Sequence, residues 1–312
     1  MDNKEIIAND SIDEIDLREL FIVLWSGKLK IIAITAIFAV GSVYYALSVP
    51  NQYTATALLA PAQSDTGGLS GALGQLGGLA SLAGVSIADG ESSESQIAQE
   101  IMKSWSFVEG FITDNDIAVE VYAAEGWDKD LNQLKIKQNL YNSNTGKWLV
   151  KNSSGELGPP SSWNIFKKFS RMLSVSEDKK TGFVSVSIEY YSPRIAKKWL
   201  DMYVEALNNH MQNRKIAKIA NNINYLTAQI QKTSIAEMRE VFYTIIEEQI
   251  KNKMVAEASP DYVFLTVSPS MTPEQKSQPS RAVICIIWTL AGVLVSVSLV
   301  LLSHYLRGSS RT

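Results

Sequence analysis

The 312-residue sequence has one cysteine, Cys285, and two histidines, His210 and His304. A single thiol cannot build a disulfide framework, and so few thiol and imidazole groups cannot assemble a histidine or cysteine zinc site within one chain. Neither histidine pairs with a serine or cysteine nucleophile in a recognisable motif: His210 falls on the polar face of a predicted helix and His304 at a predicted membrane boundary. No two glycines have the G-x-G-x-x-G spacing and no Gly-Lys-Ser/Thr follows them, so dinucleotide and P-loop readings fail. Positive charge is also short. Lys and Arg total 29 against 32 Asp and Glu, a net charge of -3, which leaves no global field to hold a nucleic acid backbone. The carboxylate pairs Glu247-Glu248 and Asp114-x-Asp116 read as solvated helix and turn residues. The sequence therefore predicts no enzyme, no cofactor and no metal site.

A mean hydropathy of -0.01 is that of an ordinary soluble protein, but the average hides the distribution. Residues 31–49 carry no charge and follow directly on Lys28 and Lys30. Residues 282–303 are likewise uncharged, between Arg281 and the closing His304, Tyr305 and Arg307. Each run has about the 20 residues that a helix needs to cross a bilayer core. A cleaved signal peptide is a poorer reading of the first, because its apolar core is too long and 27 residues precede Lys28. A buried core helix is a poorer reading of the second, which has no polar face. Arg18, Lys28 and Lys30 precede the first span and no Lys or Arg follows it for many residues, so the N-terminus is expected on the cytoplasmic side. Two spans then return the C-terminus to the same side. The expected division is a cytoplasmic segment at 1–30, spans at 31–49 and 282–303, an extracytoplasmic domain at 50–281 and a tail at 304–312.

Within that domain, 53–60 reads as a strand ending at Pro61. Residues 64–90 then hold eight of the 18 glycines with almost no charge. Gly67 with Gly71, and Gly74 with Gly78, have the small-xxx-small spacing that lets helices approach closely, yet glycine makes an isolated helix costly. A mobile loop and a segment ordered against neighbouring subunits or a membrane-embedded partner both remain open. Ser93 and Gln96 have capping-box spacing ahead of helical apolar positions running to Ile112. Residues 118–122 and 148–150 are expected as strands, 162–173 as a helix, and 183–190 as a half-buried strand by its clean alternation. Trp105, Trp127, Trp148 and Trp163 are expected to pack in the core or an interface more readily than to stack on sugars.

No proline or glycine interrupts the chain between Pro193 and Pro260. One helix of about 66 residues would reach roughly 100 Å, whereas 263–267 reads as a strand held near the second span by a connector of only about 13 residues. The helical region must therefore travel out and return. Ser234 and Glu237 have capping-box spacing and place the reversal near 232–234. The expected fold class is α+β: a membrane-proximal α/β base with a long projecting helical hairpin over about 193–258, flanked by two transmembrane helices. One apolar stripe of the hairpin is Ile219, Ile223, Leu226 and Ile230, and another Ile235, Met238, Phe242, Ile245 and Met254. The arms can bury only part of these faces on each other, which predicts a homo-oligomer.

The connector reads Pro269-Ser-Met-Thr-Pro273-Glu-Gln-Lys276-Ser277-Gln-Pro279-Ser-Arg281, an extended and semi-rigid composition. Together with the terminal spans, the helix through Glu237 and Glu247, and the Tyr262-Val263-Phe264 strand, it resembles the polysaccharide co-polymerase family, the Wzz-type chain length determinant proteins of Gram-negative inner membranes. The resemblance implies control of the length distribution of O antigen or a related surface polysaccharide, as a ring-forming scaffold beside a Wzy-type polymerase and lipid-linked glycan, with both termini cytoplasmic and the main domain periplasmic. It also implies that Pro269, Pro273, Lys276, Ser277, Pro279 and Arg281 position the second span and contact partners. A related branch adds a cytoplasmic tyrosine kinase; without a Walker motif that activity is not expected here. The alternative is a co-polymerase-like adaptor that activates a separate kinase or supports export.

Overall fold

A computed structural model describes residues 24–62, 90–151 and 155–309 and divides them between two compact units. The larger, Asn51–Gln278, is built on a four-stranded antiparallel sheet. Its strands are β1 (Tyr53–Pro61), β8 (Leu173–Glu177), β9 (Val184–Tyr190) and β10 (Phe264–Ser268), in the order β10-β1-β9-β8. Tyr53 pairs with Tyr190 and Leu59 with Val184, while Pro61 pairs with Phe264. The central strands β1 and β9 meet because each alternates and turns one face inward, whereas β10 at the edge buries only Phe264. Ala55, Ala57 and Leu59 of β1 and Val184, Val186, Ile188 and Tyr190 of β9 are all buried.

The inward face is covered by helices α2 (Gly90–Lys103), α3 (Trp105–Asp114), α4 (Ala118–Ala123) and α5 (Ser162–Ser170), and by the first turns of α6 (Pro193–Lys232). Proline opens α6 at a position where its missing N–H costs nothing. Ala196, Leu200, Tyr203, Leu207 and Met211 then follow at helical spacing into the core. Tyr203 sits edge-on to Phe111 at 4.8 Å and to Phe107 at 5.2 Å. Small antiparallel ladders fill the stretch between α4 and α5: β2 (Ala124–Asp128) with β3 (Gln133–Ile136), β4 (Tyr141–Asn142) with β5 (Lys147–Trp148), and β6 (Val150–Lys151) with β7 (Leu157–Gly158).

Past Ile219, α6 leaves the core and packs against α7 (Ala236–Ala258) alone. Forty and 23 residues make these helices about 60 and 34 Å long. Gln212 donates to the carbonyls of Ala256 at 2.9 Å and Ser259 at 3.0 Å, so a side chain of α6 satisfies the end of α7 and fixes its return.

Several local expectations are corrected. Residues 118–122 are helical: Ile117 and Val121, four apart, are both buried, and that burial outweighs the β propensity of a short valine-rich run. Helix α2 begins at Gly90, so Ser93 lies inside it, and the run to Ile112 breaks at Ser104, whose hydroxyl caps α3 by accepting from Phe107 N. Helix α5 ends at Ser170, short of 173, and 148–150 divides between β5 and β6. The hairpin turns at Thr233–Ile235 with no side-chain cap at Ile235, so Ser234 and Glu237 form no capping box. Ile235, Met238, Ile245 and Met254 of the expected second stripe are exposed, because α6 is too narrow to cover them; Phe242 is half-buried.

The smaller unit takes in Met1–Pro50 and Pro279–Thr312 and, among the described residues, consists of two helices, α1 (Lys28–Ser48) and α8 (Arg281–Ser309). Both are long and apolar enough to cross a membrane. They pack on each other through small residues. A Cβ built at Gly292 would stand 2.7 Å from Phe38 Cβ, and Ser42, Ala46 and Ser296 are buried alongside. Trp288 meets Phe38 at 6.4 Å and Tyr45 at 5.9 Å between ring centroids.

Candidate functional site

The proline-rich connector begins where β10 ends, and the larger unit holds it at two separate points. Near its start, Ser270 is buried and donates its hydroxyl to Asp201, which also takes the Lys197 ammonium at 2.6 Å. Asp201, Glu205, Asn208, Asp261, Pro269 and Ser270 border a polar groove of about 380 Å³ beside the first turns of α6. At the far end, Ser277 N and Gln278 N donate to Gln52 O at 2.9 and 3.3 Å, and Gln52 N returns a bond to Gln278 O at 2.9 Å. Ser277 Oγ adds 3.1 Å contacts to Gln52 O and to Glu189 Oε1. The connector is thereby stitched to the residue just ahead of β1. Prolines suit the stretch between the two anchors, where few N–H groups are used.

Of the expected residues, Pro269 lies at the groove and Ser277 at the Gln52 clamp, so the two are held apart. Pro273 is half-buried and Lys276 exposed. Pro279 and Arg281 belong to the smaller unit, where the half-buried Arg281 donates Nε to Ala46 O at 3.2 Å. Gly67, Gly71, Gly74 and Gly78 lie outside the described residues.

The residue that sequence reasoning missed is Asn208. It is 3 % exposed within α6, accepts from Val263 N at 3.2 Å and Phe264 N at 3.0 Å, and donates to Phe264 O at 2.9 Å. One side chain thus pairs the backbone at the start of β10 and fixes where that strand begins. An asparagine in a helix carries no local signal for this, since its partners lie 55 and 56 residues away.

Buried tyrosines fasten the surrounding helices. Tyr190 donates to Glu120 O at 2.7 Å and Tyr203 to Met102 O. Desolvation pushes both hydroxyls well above the ordinary tyrosine range. Lys168 donates to Tyr122 O at 2.5 Å; burial, and then Lys137 nearby, lower its pKa. Among the described residues no cluster of three or more His, Cys, Asp or Glu has the geometry to hold a metal ion. His210 is exposed and meets Phe107 edge-on at 5.4 Å. The arrangement positions backbone and presents surface.

Comparison with known proteins gives the following. A family model described as Wzz, chain length determinant protein, matches residues 13–115. No curated protein sequence matches the chain. Among solved structures, a full-length bacterial polysaccharide co-polymerase is similar at 14% identity, over 94% of this chain and 99% of its own, with a TM-score of 0.40. A fragment of WzzB, a polysaccharide co-polymerase from Salmonella Typhimurium, is similar at 14% identity over 73% of this chain and 100% of its own, with a TM-score of 0.32.

Proposed function

We propose that this chain is a non-enzymatic inner-membrane protein that regulates the chain length distribution of O antigen or a related surface polysaccharide. The observation that carries the reading is the match of residues 13–115 to the chain length determinant family. Two apolar helices that bracket a 228-residue unit support it, since they fit a two-pass membrane protein. In this reading the termini are cytoplasmic, the Asn51–Gln278 unit is periplasmic, and the α6–α7 pair extends from the sheet-bearing base.

The chain acts as an oligomeric scaffold. Helix α7 buries only Ala256 within the chain, while Val241, Tyr243, Met254 and Val255 are each more than half exposed, a surface that side-by-side protomers would cover. The scaffold works beside a Wzy-type polymerase on lipid-linked glycan and contributes no chemical step. The Pro269–Arg281 connector leads from the base to the second span: the Asp201 and Gln52 bonds hold it on the base, and Pro273, Lys276 and Pro279 contact partners near the membrane.

Deleting the gene tests the function. Surface polysaccharide from the deletion strain, resolved on a gel, is expected to lose its modal length cluster. A length distribution unchanged for every surface glycan would refute the proposal.

A further inference from the structure

Two tryptophans expected to pack in the core or an interface stand on the surface of the larger unit: Trp105 is 44% exposed and Trp163 51%. They open α3 and α5, each capped by a serine, and the two helix starts meet where Trp105 Nε1 donates to Ser162 Oγ at 3.2 Å. That bond fixes the indole in place without covering it. Trp163 is steadied by Phe166, with ring centroids 5.1 Å apart, and by the Lys167 ammonium 5.5 Å from its ring centroid. Directly ahead of Trp105 a shallow groove runs along α2, with Ile97 and Ile101 offering its apolar surface and Gln96 and Glu100 its polar groups.

We propose that this groove and the Trp105–Trp163 pair form a binding site for a segment of polysaccharide chain, an inference that rests on the length-determinant function and adds a substrate site to it. Aromatic faces held rigidly among hydrogen-bonding side chains match the chemistry of a sugar ring, which is apolar on its C–H faces and polar around its rim. A contact between copies of this chain would bury the same indoles against protein, and the protomer number in the test below separates the two. Here Ser162 meets the Trp105 indole, the Lys167 ammonium lies over Trp163 and the exposed Asn164 follows it in α5, which supplies donors and acceptors for hydroxyl groups. Chain entering along α2 would meet Gln96 and Glu100 first and stack on the indoles next.

The test uses the full chain in lipid nanodiscs. The probe is the surface polysaccharide released by mild acid from the lipopolysaccharide of the bacterium that encodes the protein. Saturation-transfer NMR is expected to show magnetisation passing from the protein to sugar C–H protons, with saturable binding. Trp105→Ala/Trp163→Ala should weaken that binding about tenfold, while Tyr225→Ala, 65% exposed on α6, leaves it unchanged. If the double variant melts early, Trp163→Ala alone serves, because its side chain is already half free. Absent binding by the wild type, binding undiminished in the double variant, or an equal loss in Tyr225→Ala would overturn the site. So would a changed protomer number with glycan binding kept, which would make the face a contact between copies. Gene deletion separates this site from the function it rests on: a deletion without phenotype counts against length control whatever the binding result, and undiminished binding in the double variant removes this site alone.

Discussion

At the scale of single residues, Asn208 decides where a strand begins. Replacing it with leucine keeps the branching at Cγ but leaves Val263 N, Phe264 N and Phe264 O without their side-chain partner in a buried place. The expected loss is about 2–4 kcal/mol by denaturant unfolding, and hydrogen exchange should quicken at 263–264 before the rest of the sheet. A change confined to the exposed turns would contradict this account of the residue. Tyr203 makes a pH prediction. Burial raises its folded pKa above the unfolded value of 10.0, so from about pH 10 upward the unfolded state releases a proton that the folded state keeps. Its contribution is full below pH 10 and lost as pH rises further. Tyr203→Phe should cost about 1 kcal/mol at neutral pH, through the orphaned Met102 carbonyl, and flatten the fall in stability above pH 10. A melting series against pH for both proteins measures it, and parallel alkaline limbs would count against the assignment.

Among elements, the apolar helices pair through one close approach. Gly292 lies against Phe38, where a Cβ would sit 2.7 Å away, so Gly292→Val should drive α1 and α8 apart. With Cys285→Ser as background, cysteines at Tyr45 and Trp288 are expected to cross-link in the parent and fail to do so in the Gly292→Val variant; equal yields would refute the contact. This pairing was not legible in the sequence, which displays the apolar lengths of both runs but not which faces meet. The strands at 53–60 and 183–190 were legible, because burial of one face imposes alternation that survives in any register, while 263–267 was legible from its β-branched and aromatic composition alone. The proline- and glycine-free stretch also showed that the helical region must reverse. Residues 118–122 were misread, since a six-residue helix is too short for its period to stand out against valine-rich composition. The exposure of Trp105 and Trp163 was not legible either: size predicts burial on average, and only the three-dimensional meeting of two helix starts leaves these two open within the chain. Of the connector, its proline spacing was visible, whereas Asp201 and Gln52, which hold it, are tied to it over sequence distances that no local pattern records, as Asn208 is to the start of β10.

At the scale of the whole molecule, the apolar surface left on α7 predicts assembly. Charge placed toward both ends of that surface should oppose it. Val241→Glu/Met254→Glu, both more than half exposed, is expected to leave secondary structure intact and reduce the protomer number in native mass spectra of the membrane-extracted protein. An unchanged number would move the subunit contact elsewhere. The central claim, that the chain sets polysaccharide length without catalysing polymerisation, is tested most directly by reconstitution. Purified protein, a Wzy-type polymerase and lipid-linked repeat units are combined in liposomes and the product lengths are resolved on a gel. The account predicts a broad distribution from the polymerase alone, a modal cluster when this protein is added, and no polymer from this protein without the polymerase. The same broad distribution with and without it, or polymer formed by it alone, would contradict the account.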